Sequence, residues 1–183
     1  MSELISNLKA HLQSVTYDVN YQDIECLGVH GYDRSEPTWL KITNALNVDF
    51  AGKSVCDLGC FHGYYAIKAE QAGASRVIGL DRSEEILESA RMISEASSSS
   101  VEFTLWESRQ KTPQCDVALV LNMLHHCPDQ ELTLQNIDCK EAVFEVNADQ
   151  ISAVNRHFDI LEMTTGREYP HRDPRILLYC RKR

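Results

Sequence analysis

Two short apolar runs near the middle of the chain each close on an acid. Val55 to Leu58 contains Asp57 and passes into a turn holding Gly59 and Gly63, while Val77 to Leu80 stops at Asp81. A glycine turn between a strand and a helix lets a ligand approach the backbone and the free N–H groups of the helix start, and an acid ending the next strand can bind two ribose hydroxyls. That chemistry suits an adenosine-containing cofactor. Nicotinamide dinucleotide enzymes usually write this turn as GxGxxG, and GCFHG does not have that spacing.

A second cluster, Asn122 to His126 (NMLHH), follows CDVALVLN, the most hydrophobic run of the chain. In an open α/β sheet the ligand sits outside the carboxyl ends of the central strands, where Asn122 would lie. A histidine titrating near neutrality can take a proton from a hydroxyl nucleophile, and His125 and His126 both qualify by type. Adjacent histidines followed by Cys127, with Asp129 as a lone carboxylate, lack an ordinary zinc spacing, so no metal is expected.

The elements that must position these residues follow from the pattern. Ser54 to Asp81 reads as a strand, a tight turn, a helix and a second strand, a parallel βαβ unit with right-handed crossover. Ser83 opens a helix with acids in its first turn and Ile86, Leu87, Ala90 and Ile93 on one face. Val101 to Trp106 alternates like a strand, and the run through Leu121 is a buried central one. Glu141 to Val146 is a further strand, Ala148 to Phe158 a helix, and Ile160 to Thr164 and Arg175 to Cys180 form a late antiparallel pair. Alternation of strands and helices up to that pair predicts a mostly parallel sheet with an antiparallel edge. Before the first strand, Leu4, Ile5, Leu8 and Leu12 share a helix face behind Ser2. Tyr17 to Glu36 reads as a loop over the site, and Pro37 opens a helix through Trp39, Ile42, Ala45 and Leu46.

The string DLGCFHG resembles the DxGxGxG signature of class I S-adenosylmethionine (SAM) dependent methyltransferases, GLD their second motif and NMLHH their fourth. Phe61 stands where the family usually has its middle glycine. Judged by element order, the resemblance covers roughly residues 50 to 183. It implies an α/β, Rossmann-like, seven-stranded and mostly parallel sheet with a reversed last strand and helices on both faces. It also implies one methyltransferase domain over 1–183, with 1–50 a helical lid and substrate segment and 51–183 the SAM-binding core. By the same resemblance, Asp57, Gly59, Cys60, Phe61 and Gly63 cradle the methionine portion of SAM and Asp81 binds the ribose. Arg82 lies along the adenine or ribose edge, and Trp106 and Glu107 contact adenine. A core tryptophan and a solvated glutamate would account for the last two equally well. Asn122 and either His125 or His126 face the methyl group and the acceptor. Tyr32, Arg34, Trp39 and Lys41, ahead of the first strand, become acceptor-site candidates, with surface charges and a core tryptophan as the plainer account.

Composition narrows the partners. The chain has 183 residues, enough for one domain with a good core, with 43% apolar and 25% charged residues. Seven cysteines, an odd number without CxxC spacing, speak against a disulfide framework and a zinc knuckle. No apolar run approaches a membrane span and the first residues lack a signal-peptide pattern, so a cytoplasmic location is expected. The formal net charge of −9 works against nucleic acid as a partner and leaves a small-molecule or sugar acceptor, methylated on a hydroxyl or, less readily, an amine. A tRNA-modifying enzyme and a degenerate module that binds SAM or a partner without turnover are the alternatives. The basic GREYPHRDPR stretch and terminal RKR could touch an anionic acceptor, with solvated edge charges as the usual explanation.

Overall fold

Apolar residues that alternate along each strand have two faces to bury, and this chain covers both. In a computed structural model, which describes residues 2–33, 35–168 and 174–183, seven strands form one sheet. They are β1 (Ser54–Leu58), β2 (Arg76–Asp81), β3 (Glu102–Leu105), β4 (Cys115–Leu121), β5 (Cys139–Val146), β6 (Phe158–Thr165) and β7 (Ile176–Lys182). Their order is β3-β2-β1-β4-β5-β7-β6. The first five strands run parallel, and β7 is antiparallel to both β5 and β6, between which it is inserted. The expected architecture is present, and β4 lies at its centre.

Odd and even positions separate cleanly. Val55, Val117, Leu119 and Val143 belong to the core beneath α1 (Ser2–Ser14), α2 (Ser35–Leu40), α3 (Tyr64–Gln71) and α4 (Glu84–Ala96). Cys56, Leu58, Ala118, Val120 and Phe144 face the opposite core beneath α5 (Gln130–Asn136) and α6 (Ile151–His157). Burial on both faces is why β4 reads as a continuous apolar run. Six of the seven cysteines are buried and all are free thiols.

Differences from the expected elements are local. Pro37 falls inside α2, which starts at Ser35 and continues through a π-helical turn, Lys41–Ala45, rather than opening at the proline. The link after β4 contains a short 3₁₀ turn, Leu124–His126, and then α5, which is capped by the Asp129 side chain accepting from Leu132 N–H (3.0 Å). Ser83 caps α4 as expected, accepting from Ile86 N–H at 3.4 Å. Among the described residues between α1 and α2 the regular structure is one 3₁₀ turn, Glu25–Leu27, closed by an isolated antiparallel bridge between Ile24 and Val29. The segment is tied down: Thr16 N–H donates to Glu85 (2.8 Å), and the Tyr17 hydroxyl lies 2.5 Å from that of Ser89, both on α4.

Candidate active site

The C-terminal ends of β1, β2 and β4 open into a cavity of about 570 Å³. Its geometry starts with the turn after β1. Gly59 has φ +71°, and a Cβ there would stand 2.9 Å from the Met123 Cβ, so neither the backbone conformation nor the space admits a side chain. The N–H groups of Gly59 and Cys60 both donate to Leu80 O (2.7 and 3.0 Å), which clamps the turn to the end of β2. Phe61 takes φ +51°, a conformation uncommon outside glycine, and its N–H donates to Asp81 Oδ2 at 3.2 Å. Asp81 Oδ1 accepts from Ser83 N–H at 3.1 Å. These two bonds fix a carboxylate that lines the cavity.

Asp57 is 2% exposed, and its Oδ2 has no hydrogen-bond partner among the described residues. Burial pushes its carboxyl up to about 7, against the pull of the Ala66 N–H and with added repulsion from Asp81. Across the cavity, Asn122 sits just past β4 at φ +54°, its N–H bonded to Glu145 O (3.2 Å). Its Nδ2 donates to the Tyr21 hydroxyl at 2.9 Å. Trp106 is buried against the cavity and donates Nε1–H to Gln110 O (3.2 Å), while Glu107 and Arg82 line the cavity as exposed side chains.

The cavity thus gathers Asp57, Gly59, Phe61, Asp81, Arg82, Trp106, Glu107, Asn122 and His126 from the sequence-derived set. Others lie elsewhere. Cys60 is buried and Gly63 at φ +81° packs under Phe103, whose ring a Cβ would approach to 2.7 Å; neither is among the residues lining the cavity. His125 stacks near His126, ring centroids 3.9 Å apart, but does not line the cavity, and burial, with His126 and Arg175 nearby, lowers it to about 4. Trp39 stacks on Phe50 in the core (5.1 Å), and Lys41 donates to Gly166 O (2.7 Å), so both serve packing rather than the cavity. Tyr32 is exposed, its ring edge-on to Tyr21 at 5.6 Å. Arg34 lies outside the described residues.

Sequence reasoning missed the group beside Asn122. Arg167, 4% exposed, lies just past β6, and its Nη1 and Nη2 donate to the hydroxyls of Tyr21 (3.2 Å) and Tyr65 (2.9 Å). Its Nε stands 3.1 Å from Glu145 Oε2 and Nη1 3.4 Å from Asp33 Oδ2, ion-pair contacts without hydrogen-bond geometry. Burial raises both carboxyls, with Arg167 opposing the rise. Arg167 opens the GREYPHRDPR stretch expected as solvated edge charge, yet it and Arg175 are buried; a second hint is a glutamate, Glu145, inside the otherwise apolar end of a central strand.

Residues 49–167 match the methyltransferase domain family, and the chain belongs to that family. Among its relatives, a tRNA U34 carboxymethyltransferase of Stutzerimonas stutzeri is 39% identical over 57 residues, 31% of this chain and 18% of the relative. A ribosomal protein L11 methyltransferase of Tolumonas auensis is 36% identical over 80 residues, 43% of this chain and 27% of the relative. The matched part is thus at most about a quarter of those proteins' length. Among solved structures, the magnesium protoporphyrin IX methyltransferase of Synechocystis with bound SAM superposes with a TM-score of 0.66 at 18% identity, covering 95% of this chain and 91% of that one. That likeness concerns the fold.

SAM is the cofactor of this family, and the residues present fit it. Asp57 brings a buried carboxylate with one unpartnered oxygen to the cavity lining, Asp81 a carboxylate fixed by two N–H groups, and Gly59 a turn without a side chain, a set whose chemistry suits an ammonium and vicinal hydroxyls. Among the described residues no group of three or more His, Cys, Asp or Glu is arranged to hold a metal ion, and no helix is long and apolar enough to cross a membrane.

Proposed function

We propose that this chain transfers a methyl group from SAM to a hydroxyl oxygen, less readily an amine, of a small molecule or sugar that enters beneath residues 1–50. The observation that carries the reading is the convergence of Asp57, Asp81, Trp106, Asn122 and His126 on one cavity at the strand ends. When bound, the cofactor supplies an electrophilic methyl group on a sulfonium. Displacement there is in line, so the protein's task is mainly to hold the acceptor opposite the leaving sulfur. Asp57 would take the methionine ammonium, Asp81 the ribose hydroxyls, and Trp106 with Glu107 the adenine. His126, exposed at the cavity side of the Leu124–His126 turn, would accept the acceptor's proton. His125, turned aside and of low basicity, would serve packing.

The test is calorimetric titration with SAM and S-adenosylhomocysteine. Micromolar binding that weakens at least tenfold in Asp81→Ala supports the reading, and radiolabelled methyl transfer into fractions of small hydroxyl compounds then finds the acceptor. No binding of either ligand refutes it and favours an interaction module. A tRNA acceptor is the second reading, favoured by the tRNA-named relative; a gel shift with tRNA that fades with added salt would support it.

A further inference from the structure

Tyr21, Asn122, Glu145 and Arg167 close a ring of hydrogen bonds where β4, β5 and β6 end. Arg167 Nη1 and Asn122 Nδ2 both donate to the Tyr21 hydroxyl oxygen (3.2 and 2.9 Å). Asn122 N–H donates to Glu145 O (3.2 Å), and Glu145 Oε1 accepts in turn from Arg167 N–H (3.1 Å). Two contacts brace the ring. Asp33, whose Oδ2 lies 3.4 Å from Arg167 Nη1, donates its own N–H to Tyr21 O (3.0 Å), and Arg167 Nη2 donates to the Tyr65 hydroxyl (2.9 Å) at the start of α3. The three guanidinium nitrogens thus face four side chains: Nε meets Glu145, Nη1 meets Tyr21 and Asp33, and Nη2 meets Tyr65. Balancing the two buried carboxylates needs only a positive charge. Holding two phenol oxygens in place as well needs the planar fork of an arginine. The bond to Tyr21 is also what orients the Asn122 carboxamide, whose Oδ1 has no partner among the described residues.

We infer that Arg167 is a positioning residue for methyl transfer: through its ring of hydrogen bonds with Tyr21 and Glu145 it sets the Asn122 carboxamide at the cavity. Arg167 acts from both sides of Asn122. On the side chain it works through the Tyr21 oxygen, and on the backbone through Glu145, whose carbonyl holds the Asn122 N–H at φ +54°. Only the effect on turnover rests on the proposed methyl transfer; the placing of Asn122 rests on the ring alone.

Selective ¹⁵N-asparagine labelling reads the Asn122 carboxamide directly, with its resonance assigned by its loss in Asn122→Ala. Arg167→Lys keeps the charge between Glu145 and Asp33, so its melting curve should stay near that of wild type, but one ammonium nitrogen cannot serve four side chains. Tyr21→Phe removes the acceptor outright. In each variant the Asn122 carboxamide protons should exchange roughly tenfold faster, as expected for the loss of about one hydrogen bond. The double variant Arg167→Lys/Tyr21→Phe should add nothing further, because Arg167 reaches the carboxamide through Tyr21. With an acceptor found by radiolabelled transfer, kcat of Arg167→Lys should fall roughly tenfold or more while the KM for SAM stays within about threefold. Wild-type exchange of Asn122 in Arg167→Lys overturns the inference, since charge alone would then suffice. So does a carboxamide indifferent to Tyr21→Phe, or a wild-type kcat in Arg167→Lys. The exchange measurements use the ligand-free protein, so a failure of SAM to bind sinks the cofactor reading and still leaves them to decide the role of Arg167. Should Arg167→Lys fail to fold, Arg167→Gln at pH 5, where Asp33 and Glu145 take up protons more readily, gives the same reading of Asn122.

Discussion

Replacing Asp57 with asparagine should stabilise the ligand-free protein at alkaline pH and abolish its response to the cofactor. Asp57 is 2% exposed, one oxygen lacks a partner, and burial moves its carboxyl from 3.8 to about 7. The folded-state value lies above the unfolded one, so folding takes up a proton between these limits. The stabilisation from that uptake is complete below about pH 4 and is lost as pH rises through about 7. At pH 8 the folded chain therefore holds an ionised carboxylate at a cost of roughly 4 kcal/mol, at about 1.4 kcal/mol per pH unit. Asparagine keeps an oxygen for the Ala66 N–H and carries no charge, though its buried amide group offsets part of the gain. With about 2–4 °C per kcal/mol for a chain of this size, the Tm should rise by roughly 5–10 °C at pH 8 and change little at pH 4. Differential scanning calorimetry at both pH values, with and without SAM, measures this. Wild type at pH 8 should gain stability on adding SAM, and the variant should not. A variant equally affected at pH 4 and pH 8, or one destabilised at pH 8, would refute the view that Asp57 is a buried carboxylate kept for a cationic partner.

Phe61→Gly removes a side chain held at positive φ but also its ring contacts with Tyr17 (5.5 Å), Tyr21 (5.1 Å) and His62 (4.2 Å). Amide exchange across residues 15–33 should accelerate at least tenfold while β1 and β4 keep their protection, as hydrogen–deuterium exchange would show. Arg167→Ala leaves Glu145 and Asp33 buried without their counter-charge and should cost about 3–5 kcal/mol at pH 8 in a denaturant melt. Both carboxyls titrate above their unfolded values, so the loss should shrink as pH falls and they take up protons; an equal loss at pH 5 would count against the ion cluster.

What the sequence made legible was short in range. The turn after β1, its glycines and the two acids fall within Ser54 to Asp81, where strand, turn and helix signals sit side by side. The sheet followed from alternation and from the late strand pair. For Trp39 the plainer account, a core tryptophan, holds, and Lys41 reaches Gly166; an aromatic or a lysine ahead of the first strand carries no mark of direction that would choose between core and cavity. The Tyr21 cluster was beyond reach for another reason. Tyr21 is 101 residues from Asn122 and 146 from Arg167, and no periodicity in one sequence links such positions. Glu145 gave a trace, since a carboxylate at a strand position paired with Leu121 and Leu177 requires a partner from elsewhere in the fold.

Phe61 joins the legible part of the site to the illegible part. Its N–H holds Asp81, the acid placed by the motif, and its ring packs on Tyr21, the residue the motif could not place. Glycine at this position would remove the ring contacts to Tyr17 and Tyr21 and leave residues 15–33 less firmly anchored beside the cavity. The residue that departs from the family signature is thus the one that ties the segment after α1 to the turn after β1. On this account the departure is a coupling between the two halves of the site, and it makes Tyr21 and the glycine turn depend on each other for their positions.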